Sequence, residues 1–132
     1  MPTSAADHGS PRLGLPYLQP SQAQKHVTHN EALKRLDALV QLTVLRFGAE
    51  LPPETPPEPG TVYALGPAPT GIWAPHPERL ALWDGQGWDY VAPAPGWRAW
   101  ARETEELRVW DGTAWRLPAG AAGPAQLDNL EG

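Results

Sequence analysis

Two stretches of the chain carry the same nine-residue pattern, and that pattern constrains the fold more than any other feature. Leu80-Ala-Leu-Trp-Asp-Gly-Gln-Gly-Trp88 and Leu107-Arg-Val-Trp-Asp-Gly-Thr-Ala-Trp115 share Leu-x-aliphatic-Trp-Asp-Gly-x-x-Trp. Asp-Gly at a strand end is a hairpin signal, because glycine tolerates positive φ and aspartate bonds its own turn backbone. Folding each pattern on that turn sets Trp83 opposite Trp88 and Trp110 opposite Trp115, cross-strand pairs worth about 0.2–1 kcal/mol each. A further strand precedes each hairpin. The pattern therefore predicts two three-stranded units, about 60–92 and 96–118, facing each other to bury what neither buries alone. Candidate strands are 61–65, 71–74, 79–83, 88–91, 97–101, 107–110 and 115–117, short and separated by Gly, Pro and Asp.

Ahead of this region lies one helix. Ser21 followed by Gln24 fits a capping box, with Pro20 fixing the entry. Ala23, Val27, Leu33, Leu36 and Val40 fall near helical spacing, and Ala32 and Leu39 widen the stripe. The segment from Gln41 to Phe47 alternates like a strand, so the helix is expected to end near Val40, with Gly48 as a stop. The fold class is then α+β, mainly β: one N-terminal helix followed by a small antiparallel β-sandwich or barrel built from two repeated three-stranded units.

Composition sets the boundaries around these elements. The chain has 132 residues with 17 prolines and 13 glycines, gathered at both ends and in one central run. Residues 1–20 are expected to form an extended arm whose apolar Leu13, Leu15, Tyr17 and Leu18 pack on the domain or on a neighbouring subunit. Residues 21–48 are the helix and following strand, with an oligomerising or anchoring role. Residues 49–59 hold five prolines between 51 and 59 and read as a polyproline linker. It would reach roughly 25–30 Å and carry the β-part away from the helix. Residues 60–118 are the tryptophan-rich β-domain, and 119–132 a polar tail.

Several function classes are excluded by residue chemistry. A net charge of −5 with isolated arginines offers no basic footprint for nucleic acid. There is no cysteine, so neither disulfides nor zinc thiolates are available. Met1 to Ser10 have no apolar core, and no stretch reaches the length of a membrane span, so neither a signal peptide nor membrane insertion is expected. Glycine-rich phosphate loops, G-x-S-x-G and H-E-x-x-H are missing. His26 and His29 lie three apart on the helix but have no evident third ligand. Glu105 and Glu106 sit in a hairpin loop, and Asp84 and Asp111 are taken up by turns. No cofactor, metal site or catalytic residue is expected, and the chain reads as a non-enzyme.

Seven tryptophans against one phenylalanine suit a small core, since each ring buries about 150–250 Å². Trp97 and Trp100 are an odd distance apart and should point to opposite faces of their strand. Trp73, Trp97 and Trp100 are therefore the candidates for a sugar-stacking platform or a subunit contact.

The run from Leu15 to Val40, with Gln-Ala-Gln-Lys-His-Val-Thr-His-Asn-Glu-Ala at its centre, resembles an uncharacterised domain family of alphaproteobacterial prophage and gene transfer agent fibre and spike proteins. Gly71-Ile-Trp-Ala, Gly96-Trp-Arg-Ala-Trp and Val109-Trp-Asp-Gly-Thr-Ala-Trp continue the likeness, which covers about residues 15–118. The resemblance implies a virion structural protein, assembled in the bacterial cytoplasm into a phage-like particle. It would be a head-spike or tail-fibre base, a homo-oligomer with a trimer favoured. Implied partners are capsid or tail proteins, a distal fibre protein and host capsular polysaccharide. With the sequence stopping at Gly132, soon after the family region, an anchoring role is expected. Leu15, Tyr17, Leu18, Gln24, His26, Val27, His29, Asn30, Leu33 and Leu36 are the oligomer and anchoring candidates, the polar ones setting register as buried polar residues do in coiled coils. The alternatives are a stand-alone carbohydrate-binding module using exposed tryptophans, and an adaptor for a cytoplasmic partner.

Overall fold

The computed structural model describes residues 9–17 and 24–118, with the backbone alone for 24–28. The expected capping box at Ser21, the apolar Leu18, the side chains of Gln24, His26 and Val27, and the tail 119–132 lie outside the described residues.

Helix α1 spans Gln24–Leu39, ending where the sequence pattern changes. Seven strands follow: β1 Thr43–Val44, β2 Val62–Ala64, β3 Leu80–Trp83, β4 Trp88–Val91, β5 Arg98–Ala101, β6 Glu106–Trp110 and β7 Trp115–Arg116. They form a four-stranded sheet ordered β1-β5-β6-β7 and a three-stranded sheet ordered β2-β3-β4. The chain is thus mainly β, an open two-sheet arrangement and not a closed barrel. Both repeated units are present as antiparallel meanders, with Trp83 paired to Trp88 and Trp110 to Trp115. Their rings meet at 5.1 and 5.4 Å between centroids. Gly85 and Gly112 stand at φ 101° and 110° in the two turns, which is why each aspartate is followed by glycine.

The strand before the first unit joins the second. β1 pairs in parallel with β5, Thr43 beside Trp100 and Val44 beside Ala101. The chain just beyond it bonds to the first unit: the Leu45 amide donates to the Val62 carbonyl at 2.7 Å, and the Ala49 amide to the Ala64 carbonyl at 3.0 Å. Residues 42–50 therefore stitch both sheets together. The proline-rich segment does not carry the β-part away from the helix. It returns the chain from that stitch to β2, with Glu50 accepting from the Thr70 amide at 2.8 Å.

Two buried clusters fill the molecule. The first lies between the sheets and takes Val62, Ala64, Leu80 and Leu82 from one, Ala99, Ala101, Trp110 and Trp115 from the other, and Ala38 from α1. The second lies on the reverse of the three-stranded sheet, around Tyr63, Leu65, Ala81 and Trp73. Residues 71–74, expected as a strand, form a 3-10 turn, Gly71–Trp73. Gly71 takes φ +60° against Pro52, and the turn lowers Trp73 onto Tyr63 and Trp88 at 5.0 and 5.3 Å. The indole N–H groups of Trp73 and Trp115 are buried without an acceptor among the described residues. That costs roughly 1–3 kcal/mol each, less than the about 4–6 kcal/mol from burying such a ring.

The units stack face to back. The first turns its Leu80 and Leu82 toward the shared core and its tryptophan pair toward the 3-10 lid. The second turns its tryptophan pair toward the shared core, leaving Leu107 and Val109 on the far side.

Candidate functional site

Three contacts hold α1 in place, one to the arm and two to the β-domain. The first is made by the arm. The Asp37 side chain is 2% exposed and accepts from the Ser10 hydroxyl and from the Arg12 and Leu13 amides, the last at 2.6 Å. The Arg12 guanidinium donates to the carbonyls of Asp37 and Ala38, which the helix end leaves without intrahelical partners, and to that of Gln41 just beyond it. The arm is thus folded back on its own chain as far as it is described, with a bridge from Gly9 to Pro16. Leu15 and Tyr17 are half-buried in it.

The second contact is ionic. Lys34 reaches Asp84 at 3.2 Å, and Arg35 reaches Asp89 at 2.8 Å, tying the helix to the β3–β4 hairpin. Burial alone would raise the Asp84 carboxyl. The amides of Gln86 and Gly87 and the Lys34 ammonium outweigh it and hold Asp84 below the usual carboxylate range. Asp111 in the second hairpin is held well below that range by the amides of Thr113 and Ala114 and by Arg116. Both aspartates are spent on turns, as their sequence position predicts. The third contact is Ala38, 5% exposed, with Leu39 packed beside it.

With the helix held in this way, its apolar stripe points elsewhere. Among the anchoring candidates with described side chains, His29 is exposed, Asn30 and Leu33 are half-buried, and Leu36 is 50% exposed. Ala32 and Val40 are exposed on the same side. Residues 29, 32, 36 and 40 follow helical spacing, so one face of α1 is left open by the packing of the described residues. The side that packs internally is the one carrying Lys34, Asp37 and Ala38.

The three tryptophan candidates separate. Trp73 is fully buried and has no face to offer a sugar or a partner, which corrects its place among the surface candidates: it is a core ring under the 3-10 turn. Trp97 is half-buried against the shared core. Trp100 is 42% exposed, on the opposite face of β5, as the odd spacing predicts. Thr43 and Leu107 are its direct neighbours across the ladders, and Leu107 is 39% exposed.

Among the described residues no group of three or more His, Asp or Glu is placed to hold a metal ion, and no helix is long and apolar enough to cross a membrane. Sequence reasoning missed Asp37 and Arg12. The available signal was an acid in the last helical turn, where it opposes the helix dipole and so calls for a partner.

Residues 29–116 match the family model described as a protein of unknown function, DUF2793. The chain belongs to that family. The DUF2793 region runs from the exposed His29 to Arg116 in β7, so it takes in most of α1, both units and Trp100, and leaves out the arm with Arg12. No curated protein matches the chain.

Proposed function

We propose that this DUF2793 chain is a structural component of a phage-like particle, a fibre or head-spike base that self-associates through α1. The particle context rests on the resemblance of the Leu15–Val40 run to prophage and gene transfer agent fibre and spike proteins. The observation that carries the assembly role is the open stripe of Ala32, Leu36 and Val40, on a helix clamped from its other side by Asp37, Arg12 and two ion pairs. A helix held rigidly with an apolar face outward suits packing against copies of itself, and a trimer would close that face with capsid or tail proteins at its base.

The test is a Leu36→Ser, Val40→Ser variant. Both side chains are exposed, so monomer stability should change by less than about 0.5 kcal/mol, while light scattering should show the oligomer falling to monomer. An intact oligomer would remove the helix from the assembly. Cryo-EM of particles carrying a labelled chain then places it, and absence from particles would end the particle role.

A second reading, a carbohydrate-binding module, is favoured by one observation: the exposure of Trp100 on the sheet's outer face.

A further inference from the structure

The outer face of the second unit differs from its counterpart in the first. Aligned through the repeat, Val109 of β6 corresponds to Leu82 of β3. Their partners on the preceding strands are Arg98 and Val62. One ladder step on, Leu107 and Trp100 correspond to Leu80 and Ala64. In the first unit all four positions are in the shared core, Val62 1% and Ala64 0% exposed. In the second they face outward and read Arg98, Trp100, Leu107 and Val109. A face meant to stack on another apolar layer would keep the valine and alanine of its sister. This one has exchanged them for a cation and a large flat ring.

The exchange continues along β5. Arg98, Trp100 and Arg102 alternate outward while Ala99 and Ala101 are buried, which spaces each guanidinium-bearing residue about 7 Å from the tryptophan along the strand. Neither arginine has a carboxylate partner among the described residues. The other described cations, except Arg79, are engaged: Arg12 on the helix end, Lys34, Arg35, Arg46, Arg108 and Arg116 in ion pairs. In a chain of net charge −5, two arginines with no described carboxylate partner, flanking an exposed indole, are a local positive site. Arg102 and Thr43 also line a groove of about 260 Å³, with Arg12, Thr61 and the acidic Glu58 among its other walls, so the flat face leads into a concave one.

We propose that this face, Arg98-Trp100-Arg102, binds an acidic polysaccharide: a sugar ring stacks on Trp100 and its carboxylates pair with the two guanidinium groups. The proposal rests on the carbohydrate reading of Trp100 and adds the ligand's charge class and the residues that select it. β5 is an interior strand of its sheet, so an extended acidic peptide finds no free backbone edge to pair with there. A carboxylated pyranose needs only the side chains, an apolar ring face on the indole and bidentate Arg–carboxylate contacts.

The experiment is calorimetric titration of the full chain with polygalacturonate oligosaccharides, neutral dextran and poly-glutamate. Polygalacturonate should bind and weaken as salt rises. Trp100→Ala, and separately Arg98→Gln with Arg102→Gln, should each lower its affinity at least tenfold without altering circular dichroism or oligomer size. Dextran binding that is lost in Trp100→Ala would keep the carbohydrate reading and overturn the acidic class. Binding of neither saccharide would end both. Poly-glutamate binding with the same residue dependence, or polygalacturonate binding unchanged in the variants, would overturn the site as assigned.

Discussion

Asp37 stands in the last turn of α1, where a carboxylate opposes the helix dipole, and it is buried. Its stability there comes from the arm: three donors from residues 10–13 converge on its two oxygens. Asp37→Ala removes the acceptor and leaves those donors facing a buried helix turn. Hydrogen bonds to such a group are worth about 1.5–3 kcal/mol, and part of the loss returns through water, so urea unfolding should show a destabilisation of about 2–4 kcal/mol. The acid in the last turn signalled a need for a partner, but the partners were not legible in the sequence, because they lie more than twenty positions away in a stretch that reads as an extended arm. Trp73 was misread for a related reason. Gly-Ile-Trp-Ala has strand-like composition, yet Gly71 in the left-handed region breaks the extension and makes the segment a cover. Trp97 and Trp100 were legible, since strand alternation is a local property.

At the level of elements, the hairpins were the readable part. Asp-Gly turns and cross-strand tryptophans are encoded within nine residues, and all six strands of the two units formed where the pattern put them. What the pattern left unspecified is which face each unit turns inward. Both units carry apolar residues on both faces, so periodicity alone does not decide between face-to-face and face-to-back stacking. β1 shows how a very short element can matter. It has two residues, but Val44 is fully buried and sits in the shared core. Val44→Ala should cost about 2 kcal/mol by lost burial and a residual cavity, read as a lowered urea midpoint. A comparable truncation at Leu36, on the open face of α1, should leave that midpoint nearly unchanged. The contrast separates the helix's packed side from its exposed side.

For the whole molecule, acid is the condition that tests the electrostatic ties together. Asp84, Glu103 and Asp111 all have carboxyls lowered by folding: Asp84 and Asp111 mainly by turn amides, with Lys34 and Arg116 adding to them, and Glu103 by Arg46. A lowered folded-state value contributes stability above the unfolded range and loses it as pH falls through the folded value. Glu78, raised by burial, acts in the opposite sense and offsets part of this. Stability should therefore hold from neutral pH down to about pH 5 and decline below about pH 4. Asp84→Asn should flatten that decline in a urea series across pH. The Lys34–Asp84 and Arg46–Glu103 ties link α1 to the first unit and the segment after β1 to the loop after β5, while the turn amides and Arg116 act within the hairpins, so the acid limb reports both the joining of parts and the hairpin turns.

The stitch at residues 42–50 also sets an order in time. Each hairpin closes locally, within a few residues, on a scale of roughly 1–10 μs. The parallel pairing of β1 with β5 must wait for a chain loop running from Thr43 to Trp100, and such non-local closure is slow. The two repeats thus form as separate, half-exposed pieces, and the segment that precedes both of them in the chain is the last to lock. Until it does, the face of each unit destined for the shared core is open to the same face of another copy. In a protein that also keeps an apolar helix stripe outward, the interval before locking is when misassembly between copies competes with folding.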